Sequence, residues 1–142
     1  MNSLKISTLL LIVGGLSFQL GCAKTPTPCT VTGDVLVDDK PASGVYVAFH
    51  LMDDTATHPG ASGSGRTDAD GSFSSNVPVP GTYAVTLFWP KMKVEENETI
   101  EGEDRLKGRY FDPKKPLLSI DVEVGENSLP PVTVTTNEMT RP

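Results

Sequence analysis

The stretch that most narrows what this chain can fold into is Thr67-Asp68-Ala69-Asp70-Gly71-Ser72-Phe73, followed by Pro80-Gly81-Thr82-Tyr83-Ala84-Val85-Thr86-Leu87. Asp70-Gly71 signals a tight turn, because glycine takes the positive φ that other residues resist. Pro80-Gly81 signals a second turn. Tyr83, Val85 and Leu87 then alternate as one face of a strand. Turns about ten residues apart, each feeding an alternating run, are the pattern of an antiparallel β-sandwich.

The flanking segments extend the pattern. Val31, Gly33, Val35 and Val37 form one side of a strand, and Asp38-Asp39-Lys40-Pro41 turns it. Val45, Val47 and Phe49 form the face of a second strand. Met52 to Gly65 has no periodicity and is expected to be a loop. Ser64 to Asp68 and Ser72 to Asn76 are expected to pair as a central hairpin. Thr82 to Trp89 follows, stopped by Pro90. Leu118, Ile120, Val122 and Val124 alternate strictly with Ser119, Asp121 and Glu123, a half-buried strand. Gly125-Glu126-Asn127 turns it, and Pro131 to Thr135 is a last edge strand. The expected fold is all-β: one antiparallel Greek-key sandwich of about seven strands over residues 30–135. Lys91 to Lys115 is charged throughout and lacks strand signals, so it is expected to be a long insertion, functional or mobile. Residues 136–142 form a polar tail, expected to be disordered.

With Gly33-Asp34-Val35 and Pro41-Ala42-Ser43-Gly44-Val45-Tyr46-Val47 placed before T-D-A-D-G-S-F and V-P-G-T-Y-A-V, the chain resembles the carboxypeptidase regulatory-like domain. That family belongs to the transthyretin-like, or prealbumin-like, β-sandwiches. The resemblance spans roughly Val31 to Val134. It implies a fold rather than an activity, since the matching residues make turns and core, and a fold this widely shared names no function.

The N-terminus carries its own message. Met1 to Lys5 holds one cation, and Ile6 to Leu20 is mostly apolar. That run is shorter than the roughly 20 residues needed to cross a bilayer, so it is expected to be a signal-peptide core within residues 1–21. Leu20-Gly21-Cys22 resembles the bacterial lipoprotein signal, with Gln19 departing from the usual apolar residue. The resemblance implies cleavage before Cys22 and acylation of that cysteine with fatty acids such as palmitate. Several acyl chains anchor firmly where one does not. Ala23, where an Asp would signal inner-membrane retention, points to the outer membrane or cell surface. Residues 22–29 would then be a lipidated N-terminus and proline-containing tether. If Cys22 is lipidated, Cys29 is an odd thiol; if not, a Cys22–Cys29 bridge is open to an oxidising envelope.

Charge excludes one class of partner. The formal net charge is -6, and it becomes more acidic once Lys5 is removed. Scattered cations on so acidic a chain argue against nucleic acid. The expected partners are membrane lipid through the acyl anchor and an envelope protein or glycan.

Candidate chemistry is sparse. Asp68 and Asp70 suggest calcium, but with Gly71 at position six of an EF-hand loop Arg66 falls at position one and Val77 at twelve. His50 and His58 are the only histidines, too few for a metal site without another ligand. Intradiol dioxygenases share a similar T-D-A-D-G hairpin but hold iron with two Tyr and an H-x-H pair, which this chain lacks. Hydroxyisourate hydrolases end in Y-R-G-S, and this chain ends Thr140-Arg141-Pro142. Gly60-Ala61-Ser62-Gly63-Ser64 lacks the last glycine of a nucleophile elbow. No cofactor or metal is therefore expected. Arg105, Lys107, Arg109, Tyr110 and Phe111 cluster cations with aromatics. They are either a recognition patch, since Arg and Tyr anchor interfaces, or a cap over the open end of the sandwich. The expected function is non-catalytic: binding or structural support in the envelope. An enzyme with an unrecognised site on a transthyretin-like fold is the alternative.

Overall fold

The computed structural model describes residues 27–52 and 62–137. Among them are eleven strands and no helix: β1 (Cys29–Val37), β2 (Lys40–Pro41), β3 (Tyr46–Leu51), β4 (Ser62–Arg66), β5 (Ser72–Val77), β6 (Gly81–Phe88), β7 (Pro90–Glu95), β8 (Glu98–Asp104), β9 (Leu118–Val122), β10 (Gly125–Ser128) and β11 (Val132–Val134).

Strand β1 organises the first sheet. Its alternating Cys29, Val31, Val35 and Val37 are buried. Its first half is flanked by β5, antiparallel, and β10, parallel. Its second half is flanked by β2, antiparallel, and β11, parallel. The second sheet runs β4-β3-β6-β9 and is antiparallel throughout. Val47, Phe49, Tyr83, Val85 and Leu87 from this sheet pack on Val31, Val35, Phe73 and Val77 from the first. The Phe49 and Phe73 rings meet across the interface with centroids 6.2 Å apart. Burying each such side chain contributes about 1.5–3 kcal/mol. The protein is an all-β sandwich, as the alternating runs imply.

The central turn works differently from the expected hairpin. Gly71 has φ +82°, and the turn closes through Asp68 N–H to the Ser72 carbonyl at 2.8 Å. Yet β4 pairs with β3 and β5 pairs with β1, so the turn is a corner between sheets. Thr67 secures it. Its buried hydroxyl donates to the Ala42 carbonyl at 2.6 Å and accepts from Val45 N–H at 2.9 Å.

Three further expectations change. Met52 to Gly65 is not wholly loop, because β4 begins at Ser62; the part from 53 to 61 lies outside the described residues. Within β4, Gly63 and Gly65 face β5, and a Cβ there would stand 2.4 Å from the Asn76 carbonyl oxygen and 2.7 Å from that of Ser74. These glycines allow the sheets to touch. Second, Gly125-Glu126-Asn127 is strand β10 rather than a turn, because the chain crosses from β9 to the other sheet, leaving Val124 exposed. The Asn127 amide holds the crossover, donating to the Glu123 carbonyl at 2.8 Å and accepting from Glu123 N–H at 2.9 Å. This crossing is also why two pairings of β1 are parallel.

Third, Lys91 to Lys115 is not a strandless insertion. Its first part is an antiparallel ribbon, β7–β8, turned at Glu96 and Asn97 with φ +48° and +70°. Positive φ at both central positions suits a two-residue hairpin loop. Nearly every ribbon residue is exposed. The tail also begins later than expected, because Asp38 accepts hydrogen bonds from Thr135 and Thr136. Residues 1–26, with Cys22 and the expected signal segment, lie outside the described residues.

Candidate functional site

The ribbon is seated on the sandwich by one carboxylate. Asp104 Oδ1 accepts from Trp89 N–H at 2.9 Å and Leu106 N–H at 3.0 Å, and Oδ2 accepts from Gly108 N–H at 2.8 Å. The chain then turns through Lys107 and Gly108, both at positive φ. Leu106 drops fully into the core. Tyr110 returns to β6, its carbonyl accepting from Leu87 N–H at 2.8 Å.

Beside this seat an open groove of about 580 Å³ runs between the ribbon base and the 43–44 turn. Trp89 forms its floor, with the indole N–H donating to the Ser43 carbonyl at 2.9 Å. The Arg105 guanidinium lies 3.5 Å from the Trp89 ring centroid. Arg66, Lys91 and Lys93 complete a basic lining. Arg66 reaches Glu101 at 3.5 Å and stands 5.0 Å from the Tyr46 ring centroid. Tyr46 donates to Glu101 at 2.7 Å. That hydrogen bond first, and desolvation second, hold the phenol above its ordinary value. Lys91 approaches Glu103 at 3.5 Å. Among the described residues neither Lys93 nor Arg105 has a carboxylate partner. A groove of this kind offers donors and positive charge over an aromatic floor, which suits carboxylate or phosphate groups.

The basic–aromatic cluster expected from the sequence divides. Arg105 lines the groove. Arg109 instead ties down the end of the chain, donating to the Thr135 and Asn137 carbonyls, each at 2.6 Å, and to Leu106 at 3.1 Å. Tyr110 is half-buried beside the core, and Phe111 is exposed against Phe88 at 5.8 Å between centroids. Lys107 is exposed in the turn. Sequence reasoning passed over Arg66, Trp89, Lys91 and Lys93. The alternation Lys91-Met92-Lys93 was a strand signal masked by its polarity.

Other candidates have local partners. Asp70 Oδ1 accepts from the Ser72 hydroxyl at 2.7 Å and its N–H at 3.2 Å, closing the corner. These bonds, side chain first, hold its carboxyl below the usual range. His50 Nε2 lies 3.0 Å from the Thr86 hydroxyl, and His58 is outside the described residues. Among the described residues, no three His, Cys, Asp or Glu side chains converge to hold a metal. Cys29 is buried and has no disulfide partner among the described residues.

No family model matches this chain. No curated protein matches it either. Among solved structures, a 9R-lipoxygenase of Cyanothece is similar over 76% of this chain, at 14% identity and a TM-score of 0.47. The match covers 16% of the lipoxygenase, so this chain spans a small part of that protein. The dioxygenase domain of a dioxygenase–carbohydrate-binding fusion from Streptomyces aligns over 80% of this chain and 83% of that domain, at 22% identity and a TM-score of 0.39. A Pseudomonas aeruginosa protein proposed to bind carbohydrate aligns over 80% of this chain and 92% of its own length, at 12% identity and a TM-score of 0.35. Likenesses this distant say nothing about what this chain binds or catalyses.

Proposed function

We propose that this chain is a non-catalytic binding module of the cell envelope. In this reading it is lipid-anchored through Cys22, built as a carboxypeptidase regulatory-like sandwich, and engages a carboxylate- or phosphate-bearing envelope partner at the groove. The observation that carries the reading is Arg105 stacked on Trp89 beside Lys93, cations without carboxylate partners among the described residues of an acidic protein. An acidic surface repels anions at long range, so a local basic groove selects where they dock.

The test uses the full chain in detergent on immobilised polygalacturonate, on phosphocellulose and on neutral cellulose. Retention is expected on at least one anionic matrix, weakening with salt, and not on cellulose. Lys91→Ala with Arg105→Ala should reduce that retention about fivefold or more with an unchanged melting temperature. No retention on either anionic matrix, or retention indifferent to the double variant, overturns the groove. The anchor is tested separately: Cys22→Ser should move the protein out of membrane pellets.

A further inference from the structure

The ribbon has an unfinished edge. β7 and β8 form a sheet of their own, and among the described residues no third strand pairs with either. Unpaired N–H and C=O groups on such an edge are a template for another strand. Natural edges are often protected by charge, and β8 is protected this way, with Glu98, Glu101, Glu103 and Asp104 along its length. Strand β7 is not. It reads Pro90-Lys91-Met92-Lys93-Val94-Glu95, basic at its base and acidic at its tip, with Val94 76% and Met92 50% exposed.

The tip also carries an internal conflict. Glu95 stands directly opposite Glu98 in the ribbon, with Glu96 between them in the turn. Like charges directly opposite are destabilising. Meanwhile Lys93, two residues along the same face, has no ion pair among the described residues.

We infer that β7 pairs antiparallel with β7 of a second copy, about a two-fold axis through Val94. A two-fold contact uses one patch on both copies, so a strand that is basic at one end and acidic at the other complements itself when antiparallel. With Val94 on the axis, Val94 meets the second copy's Val94, and each Lys93 lies opposite the second copy's Glu95. Charge then meets opposite charge twice, and the most exposed apolar side chain is covered. Moving the axis to Lys93 sets two lysines opposite each other. Pairing through β8 sets acids against acids. The Val94 register is the one in which charge and apolarity agree.

This inference goes beyond the groove reading and shares Lys93 with it: in the dimer Lys93 faces the second copy's Glu95, and Arg105 remains the groove's unpaired cation among the described residues. The experiment is sedimentation of the full chain in detergent over a concentration series, with bound detergent accounted for. A reversible monomer–dimer equilibrium is expected. Lys93→Glu alone and Glu95→Lys alone should each raise the dimer dissociation constant about tenfold or more, because two favourable pairs become two repulsive ones. Mixing the two variants should restore association to near the parental value, since the two acids at 93 and 95 of one variant then face the two lysines at 93 and 95 of the other. Both positions are exposed, and unchanged melting temperatures would exclude misfolding as the cause. A strictly monomeric parent, single reversals without effect, or a mixture that does not recover would each overturn the pairing. A monomeric protein still retained on an anionic matrix would overturn this inference and leave the groove standing.

Discussion

Strand β1 is paired along both edges and buries Val31 and Val35 completely, whereas the ribbon β7–β8 pairs only with itself and leaves Val94 76% exposed. Both are regular extended backbone, and valine occupies both. What separates them is what lies on either side of the sheet. In β1 one face meets the second sheet, so each side chain on it is tied to fold stability. In the ribbon both faces meet solvent, so its side chains are released from that duty. Fold stability thereby rests on the sandwich strands, and the ribbon's side chains are largely free of it. The joint between them is small: Asp104, Leu106, the Trp89–Ser43 bond and the contacts of Tyr46 and Arg66 with Glu101.

The sharpest test of that division compares Phe49→Ala with Val94→Thr. Phe49 is fully buried against Phe73, so its truncation should cost about 3–5 kcal/mol. Val94→Thr should stay within about 0.5 kcal/mol. Urea unfolding of both variants measures this, and comparable losses would mean that the ribbon is part of the core.

A smaller contrast lies within the expected patch. Arg109→Ala removes hydrogen bonds to three carbonyls and should cost about 1–2 kcal/mol. Arg105→Ala removes a stacked, exposed guanidinium and should cost less than about 1 kcal/mol. If Arg105 proves the costlier loss, the groove belongs to the scaffold.

The smallest effect concerns acid. Asp38, just after β1, is held below its ordinary 3.8 by the Thr136 hydroxyl first, then the Thr135 hydroxyl and the Thr136 N–H. Its clamp on the chain end is present above 3.8 and is lost as pH falls through the depressed value. Asp38→Asn should therefore melt slightly below the parent at neutral pH, and the gap should close as pH falls below 3.8. Asparagine tolerates the positive φ at this position. A gap that is constant with pH would place the effect in the backbone instead.

Where one face of a strand is buried by large side chains, the sequence announced it. Val31 and Val35, Val47 and Phe49, Tyr83 to Leu87, and Leu118 to Val122 all alternate and all form strands. Strand β4 was expected only from Ser64, because its inward residues, Gly63 and Gly65, were chosen for the absence of a side chain. The ribbon escaped because no face of it is buried, so no hydrophobic period marks it. The D-G signal correctly located a turn, yet a turn is local chemistry. Which strands pair across it depends on β1 and β3, distant in the chain. The groove was half legible for the same reason: Arg105 stood out by composition, while Arg66 and Trp89 reach it only through the sheets.

The polarity of β1 has one consequence for how the molecule is presented. Its Cys29 end lies with Val77 and Gly125, while its Val37 end leads to Asp38, which sits with Tyr110 near the ribbon seat. Nine residues of strand, about 30 Å, separate these two poles. If the chain is anchored upstream of Cys29, as proposed, the domain would be held by the pole remote from the ribbon. Like a boathook held by its shaft, the molecule would offer its working end to whatever approaches, with the sandwich as the spacer that sets the reach.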